Sequence, residues 1–391
     1  MARSVAASIN PELLKWARKY SGLDLAYVAE KCKLDPQTLD DLEADRIQPT
    51  LAQLRQLAKI YHFPIAVFYL PQTPDLQVKR PKDRRFLPGF EYLEPSAELN
   101  YEFRKVCERR EIAIELLANI SNPFKKFDIR STLQQSPENV GTHIRKLLGI
   151  SISEQMSWRD ARLAFNSWRN KIESLGILVF QSTNVPLSQM RGFSLFYQIL
   201  PVITVNRKDA YVARSFTLMH ELAHIMLRTE SLCDMREGEG KLSEADQRIE
   251  VFCNSVAACA LVPRADILAD ERLHQALEPS PIGDAAIRDI SISFGVSREV
   301  IVRRLLTLGL VDEAFYRGKR SQYEKEHKKS AKSEGGFVPP ALNILSSAGR
   351  PFVSLTLENL ERGIITTSDA SDYLGIRLKH FEKLQSMLFG A

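Results

Sequence analysis

Apolar residues return every three to four positions along most of this chain, a spacing that gathers them on one face of a helix. Leu13, Leu14 and Trp16 mark one such stretch over 11–20, Val28 and Ala29 a second, Leu39 and Leu42 a third, and Leu51, Leu54, Leu57 and Ile60 a fourth. The punctuation agrees with the periodicity. Ser21-Gly22 ends the first helix, Asp35-Pro36 supplies an N-cap and a first helical residue for the third, Thr50 caps the fourth, and Pro64 opens a fifth that ends near Leu70. A long amphipathic helix is predicted over 96–120, with Leu99, Phe103, Val106, Ile112, Leu116 and Leu117 inward, and others over 137–148 and 158–175. The pattern turns β-rich in three short runs, 176–181, 192–197 and 201–205, each bounded by Gly, Pro or Asn. Two helices follow, 214–228 and 248–262, the second rich in small residues and stopped by Pro263. Gly295 makes a turn and Ser297 caps the next helix within 289–306, and two short helices flank a turn in the tail. The fold class is therefore α+β and mostly helical.

Within the helix over 214–228 lies His220-Glu221-Leu222-Ala223-His224. Positions i and i+4 leave a helix from one face, so both imidazoles can reach one metal ion. Glu221, one residue along, sits beside that ion and can take a proton from water. Zinc (Zn2+) lowers the pKa of a bound water to roughly 7, which makes hydroxide available at neutral pH. The flanking Phe216, Leu218, Met219, Ala223, Ile225 and Met226 are apolar, so buried histidines there need partners, and a metal supplies them. A catalytic zinc site needs a third protein ligand. Glu250 and Asn254 share a face of the following helix. Spacing alone leaves Glu250 open between a ligand and a solvated first-turn glutamate favoured by the helix dipole.

Composition narrows the setting. The 391 residues are enough for two to three domains. No apolar run approaches the ~20 residues that span a membrane, and the N-terminal ten residues lack a secretory core, so a cytoplasmic protein with no membrane contact is expected. Five cysteines, Cys32, Cys107, Cys233, Cys253 and Cys259, are scattered and unpaired in spacing, which predicts reduced thiols. The net charge of +5 says little by itself. Its concentration over 317–332 reads as a solvated linker in preference to a phosphate-contacting arm.

Several separated motifs carry a resemblance. Ile203-Thr-Val-Asn206, Arg214-Ser-Phe-Thr-Leu-Met-His-Glu-Leu-Ala-His224, Ile249-Glu250, Cys253-Asn254, Ala257-Ala258 and Leu261-Val-Pro263 are similar, in this order, to the ImmA/IrrE metallopeptidase family. The resemblance covers roughly residues 90 to 275. It implies that His220, His224 and Glu250 bind zinc, that Glu221 is the general base, and that the domain is zincin-like. In such a layout a sheet edge beside the active-site helix receives an extended substrate, and the strand at Arg191-Gly192-Phe193-Ser194 is expected to be that edge. The family usually has Ala and Phe where this chain has Cys253 and Val256.

The N-terminal helices resemble XRE-type, lambda-repressor-like helix-turn-helix domains, in Ala17-Arg18, Gly22-Leu23, Val28-Ala29, Leu34, Leu39, Leu42-Glu43, Pro49-Thr50 and Leu54. The recognition helix departs from a DNA reader, because no Lys or Arg lies between Asp35 and Asp45. Base readout would fall to Gln37 and Thr38, with Arg46 on the backbone, and a protein-docking role competes with DNA binding.

The expected organisation is an XRE-type five-helix domain over 9–70, a linker over 71–94, a zincin-like domain over 95–280, a helix-turn-helix-like extension over 281–315, a basic flexible linker over 316–340 and a helical region over 341–391. The resemblance implies a site-specific zinc endopeptidase that cleaves a repressor or antitoxin partner. A DNA-binding regulator or antitoxin that holds a neighbouring toxin, with the zinc fold as scaffold, stands beside it. Operator DNA as a partner and a homodimer on two half-sites are left open under both readings.

Overall fold

The computed structural model describes residues 6–74, 84–85, 96–120, 126–158, 160–228, 244–277, 282–330 and 338–389. It divides into two compact units, one of residues 1–80 and 93–108, the other of 81–92 and 109–391.

The first unit holds α1 (Pro11–Tyr20), α2 (Leu25–Cys32), α3 (Pro36–Glu43), α4 (Leu51–Tyr61) and the beginning of α5 (Ala97–Asn119). Side-chain caps start each of the first four: Asn10, Asp24, Asp35 and Thr50 accept from backbone N–H groups in the first turn. Lys33 adopts the left-handed conformation at φ 53° and turns α2 into α3. Leu13, Leu14, Ala17, Val28, Leu39, Leu42, Leu54 and Leu57 close the core, as their spacing predicts. The fifth helix expected from Pro64 is a 3-10 turn, Ile65–Tyr69, with Phe68 alone buried. Glu43, on the inner side of α3, is spent on structure, since Arg18 clamps it with bonds of 2.6 and 2.8 Å.

The second unit is built on a small sheet with strand order β1-β3-β4-β2. Its strands are β1 (Arg84–Arg85), β2 (Leu178–Ser182), β3 (Gly192–Leu195) and β4 (Val202–Asn206). β2 and β4 run parallel, and β3 pairs antiparallel with β4. Both parallel strands are buried along their whole length, which accounts for the apolar residues on both of their faces. The expected 71–94 linker lies mostly outside the described residues, but within it the backbone of Arg84–Arg85 pairs antiparallel with β3. The expectation of β3 as an open edge is corrected by that pairing.

Helices α6 (Pro137–Leu148), α7 (Ile152–Ser157), α8 (Ala161–Glu173), α9 (Tyr211–Leu227) and α10 (Glu244–Leu261) make the core of this unit with the sheet. α9 packs against β3 and β4 on one side and α8 and α10 on others, so it is apolar nearly all round. Gly141 lets α6 cross α10 closely, because a Cβ there would lie 2.8 Å from the Ala260 nitrogen and from the Cys259 Cβ.

The C-terminal carbonyls of α10 have no partners within their own helix and are held by buried side chains. Arg145 donates to the Ala260 carbonyl at 2.9 Å, and Gln155 to the Leu261 carbonyl at 2.8 Å. Arg304 donates to the Val262 carbonyl at 2.8 Å and pairs with Glu138 at 2.6 Å. Beyond α10, α11 (Arg264–Leu268) and α12 (Glu271–Leu277) lead to α13 (Asp284–Phe294), which Gly295 joins to α14 (Arg298–Thr307), the helix of Arg304. Of the basic residues of this second helix-turn-helix-like pair, Arg304 is buried, Arg298 is half-buried and Arg303 is exposed. Arg298 bonds Glu326 and lies over the Tyr323 ring, and Arg303 lies over Tyr316.

Those partners belong to α15 (Glu313–Ser330), and the expected flexible linker over 316–340 is corrected accordingly. Tyr316 and Tyr323, seven residues apart on one helix face, are both buried in the main core, and residues 331–337 lie outside the described residues. The tail forms α16 (Pro340–Ala348), α17 (Arg350–Glu361), α18 (Thr367–Leu374) and α19 (Phe381–Phe389), with α16 against β2. Cys32, Cys107, Cys253 and Cys259 form no disulfide, and Cys233 lies outside the described residues. Among the described residues no helix is long and apolar enough to cross a membrane.

Candidate active site

The start of α9 is fixed before its chemistry begins. Arg214 bonds the Asp209 carbonyl at 2.7 Å and Gln181 of β2 at 3.1 Å, tying the first turns of the helix to the sheet. Two turns later His220, Glu221 and His224 are 1–2% exposed. α10 brings Glu250 alongside, with a fifth of its side chain open to solvent. The His220 and His224 Nε2 atoms stand 3.0 Å apart. Glu250 places one carboxylate oxygen 3.1 Å from His224 Nε2 and the other 3.4 Å from His220 Nε2.

Tetrahedral zinc with ligands at ~2.0–2.1 Å holds them roughly 3.3 Å apart, so this triangle of donors fits such an ion. Among the described residues it is the one group of His, Cys, Asp and Glu side chains placed to hold a metal. The field at its centre also suits a cation. Burial works against a charged His224, yet Cys253, Glu250 and Glu221 outweigh it and hold its pKa well above the ordinary histidine value. The Cys253 thiol, one turn beyond Glu250 and fully buried, hydrogen-bonds His224, while its own pKa is pushed up by burial.

Glu221 turns toward the sheet. A Cβ built on Gly192 would lie 3.4 Å from Glu221 Oε1, 2.4 Å from Thr217 Cγ2 and 2.9 Å from the Thr204 carbonyl oxygen. A bare backbone at this position is what lets β3 run directly against α9. Gly192→Ala is expected to destabilise the protein by ~1–3 kcal/mol, the usual cost of overpacking, in a denaturant titration. An unchanged midpoint would mean that β3 and α9 can separate freely.

The three residues assigned to DNA readout lie in the other unit. Gln37 and Arg46 are exposed and Thr38 is half-buried. Arg46 bonds Asp41 at 2.6 Å and also Asp40, and Gln37 bonds Asp41 at 3.0 Å. The Arg46 guanidinium, then Gln37, hold the Asp41 carboxyl below the usual range. Two of the three are thus engaged with the acids of α3.

Sequence spacing found both histidines and the intervening glutamate, and left Glu250 undecided. It missed the thiol of Cys253 against His224, the pressure of Gly192 on Glu221, and the strand at Arg84–Arg85. An i, i+3 relation between Glu250 and Cys253 was the available signal for the first of these.

Residues 172–306 match the family model of the IrrE N-terminal-like domain, a peptidase family, and residues 14–68 match that of the helix-turn-helix domain. No curated protein matches the chain.

Proposed function

We propose that this chain, which joins an IrrE N-terminal-like peptidase domain to a helix-turn-helix domain, is a zinc-dependent site-specific endopeptidase acting on a repressor or antitoxin partner. The observation that carries the reading is the convergence of His220, His224 and Glu250 on one point with Glu221 between the histidines. Those three residues would hold the ion. Bound zinc acidifies water to a pKa of roughly 7 and polarises a peptide carbonyl. Glu221, almost fully buried, accepts the proton of the attacking water and delivers it to the leaving amine. Its burial keeps bulk water from competing for that proton. The test is to mix the zinc-loaded protein with the products of its neighbouring genes and record intact masses, with a chelated sample alongside. A fragment pair that needs the metal supports the proposal and names the bond; unchanged masses in both samples speak against it.

The helix-turn-helix match supports a second reading, in which the chain also represses transcription or holds a toxin. Affinity for DNA depends on cations facing phosphates, and Arg46 is tied to Asp40 and Asp41. Asp40→Asn with Asp41→Asn is therefore expected to strengthen binding to the chain's own promoter about tenfold in a low-salt gel shift. The slope of log affinity on log salt should steepen by about 1, one further phosphate contact. Equal retention of wild type and variant would remove α3 and Arg46 from the DNA interface.

A further inference from the structure

β3 is the strand of the sheet that lies against the catalytic carboxylate. Gly192, its first residue, is the point of closest approach, with Thr217 and Glu221 of α9 on its inner side. One lateral edge of β3 is filled by β4, in the register Gly192↔Val205 and Phe193↔Thr204. The other edge is the natural place for an extended peptide. Main-chain bonds to a sheet edge give affinity without demanding a sequence, and a peptide there would run past Glu221. The outer edge of β2 is no substitute, because β2 and β4 stand between it and Gly192 and α16 packs against β2.

The edge of β3 is already occupied by the chain itself. Arg84 stands across from Phe193 and Arg85 across from Gly192, antiparallel. This backbone belongs to the same compact unit as β3 and α9, so the contact is internal to the peptidase body. At two residues the strand is shorter than the usual five to six, which means few ladder bonds and easy replacement by a longer partner.

We propose that Arg84–Arg85 is a resident pseudosubstrate strand: its backbone holds the β3 edge beside Glu221, and a peptide substrate enters by displacing it. The proposal rests on the peptidase reading, and it deepens that reading by giving the site a resting, self-blocked state. The substrate class that follows is an extended, strand-forming segment. A compact helix offers no free main-chain groups to exchange for those of β1.

The test uses the full-length zinc-loaded protein, the variant Arg84→Pro with Arg85→Pro, and the charge-preserving control Arg84→Lys with Arg85→Lys. Proline has no N–H to give the ladder and is poorly accommodated in a paired strand. Two probes are titrated: acetohydroxamate, which reports the metal alone, and a short extended peptide hydroxamate, which reports metal and edge together. The proline variant should bind the peptide probe at least tenfold more tightly than wild type, with acetohydroxamate unchanged and the lysine control behaving as wild type. Amide hydrogen exchange over 192–195 should be at least tenfold faster in the proline variant, measured without metal, while exchange in α9 stays as in wild type. Equal peptide-probe affinity in all three proteins, or equal exchange at β3, overturns the proposal. Failure of acetohydroxamate to bind any of the three would instead count against the zinc reading, and the exchange comparison would still decide whether β1 covers the edge.

Discussion

Glu221→Gln should retain zinc and fold yet lose cleavage by about 10²–10⁴-fold, the range that a positioned acid–base group contributes. Glutamine has nearly the shape of glutamate, so the packing against Gly192 and Thr217 survives. Metal analysis and a thermal melt should match wild type. The amide cannot accept the proton of the attacking water, and it also lacks the charge that Glu221 turns on His224. A residue 2% exposed has no route for bulk water to take over the task. Cleavage of the same partner at the wild-type rate would remove Glu221 from the mechanism, and loss of zinc would recast it as part of the metal's support.

Glu250→Gln should weaken zinc binding by more than about 100-fold, beyond the 10–100-fold typical of groups that only steady a ligand. The same experiment carries a pH signature. In the metal-free protein the pKa of His224 is raised, burial opposing the charged form and Cys253, Glu250 and Glu221 favouring it, so zinc competes with a proton there. Affinity is therefore expected to rise as pH rises toward the raised pKa of His224, with proton release on binding. Burial opposes that raised pKa, and Cys253, Glu250 and Glu221 produce it, so removing the Glu250 charge should also reduce the proton release. Calorimetry in buffers of different ionisation enthalpy measures both quantities together. Unchanged affinity would exclude Glu250 as a ligand.

The parts of the molecule that were legible in sequence are those governed by local repetition. The i, i+4 histidines and the Asp35, Thr50 and Ser297 caps are written within a turn or two of helix, and each is in place. Spacing alone left Glu250 undecided, and only the family resemblance pointed to it, because its role depends on the packing of α10 against α9, a contact between residues about thirty apart. β1 was hidden for a different reason. A strand of two arginines between prolines carries no alternation of apolar and polar residues, and its pairing depends only on backbone. α15 was misread because its dense charge masked two tyrosines at heptad spacing, although those two side chains decide its packing. Arg304 shows the converse, a cation on a basic helix that is fully buried against Glu138.

The clamp on the end of α10 sets a limit on how far the molecule can be pared down. Arg145 and Gln155 come from before β2, and Arg304 from well after the site, yet all three hold consecutive carbonyls at the end of the helix that presents Glu250. A shorter polypeptide that begins beyond Gln155 or ends ahead of Arg304 would keep every residue of the donor triangle and still leave bare carbonyls in an apolar core. Each such orphan costs on the order of 1–3 kcal/mol. The smallest autonomous hydrolase in this chain is therefore a good deal larger than the span from His220 to Glu250, and loss of activity on trimming either flank would be a failure of scaffolding rather than of chemistry.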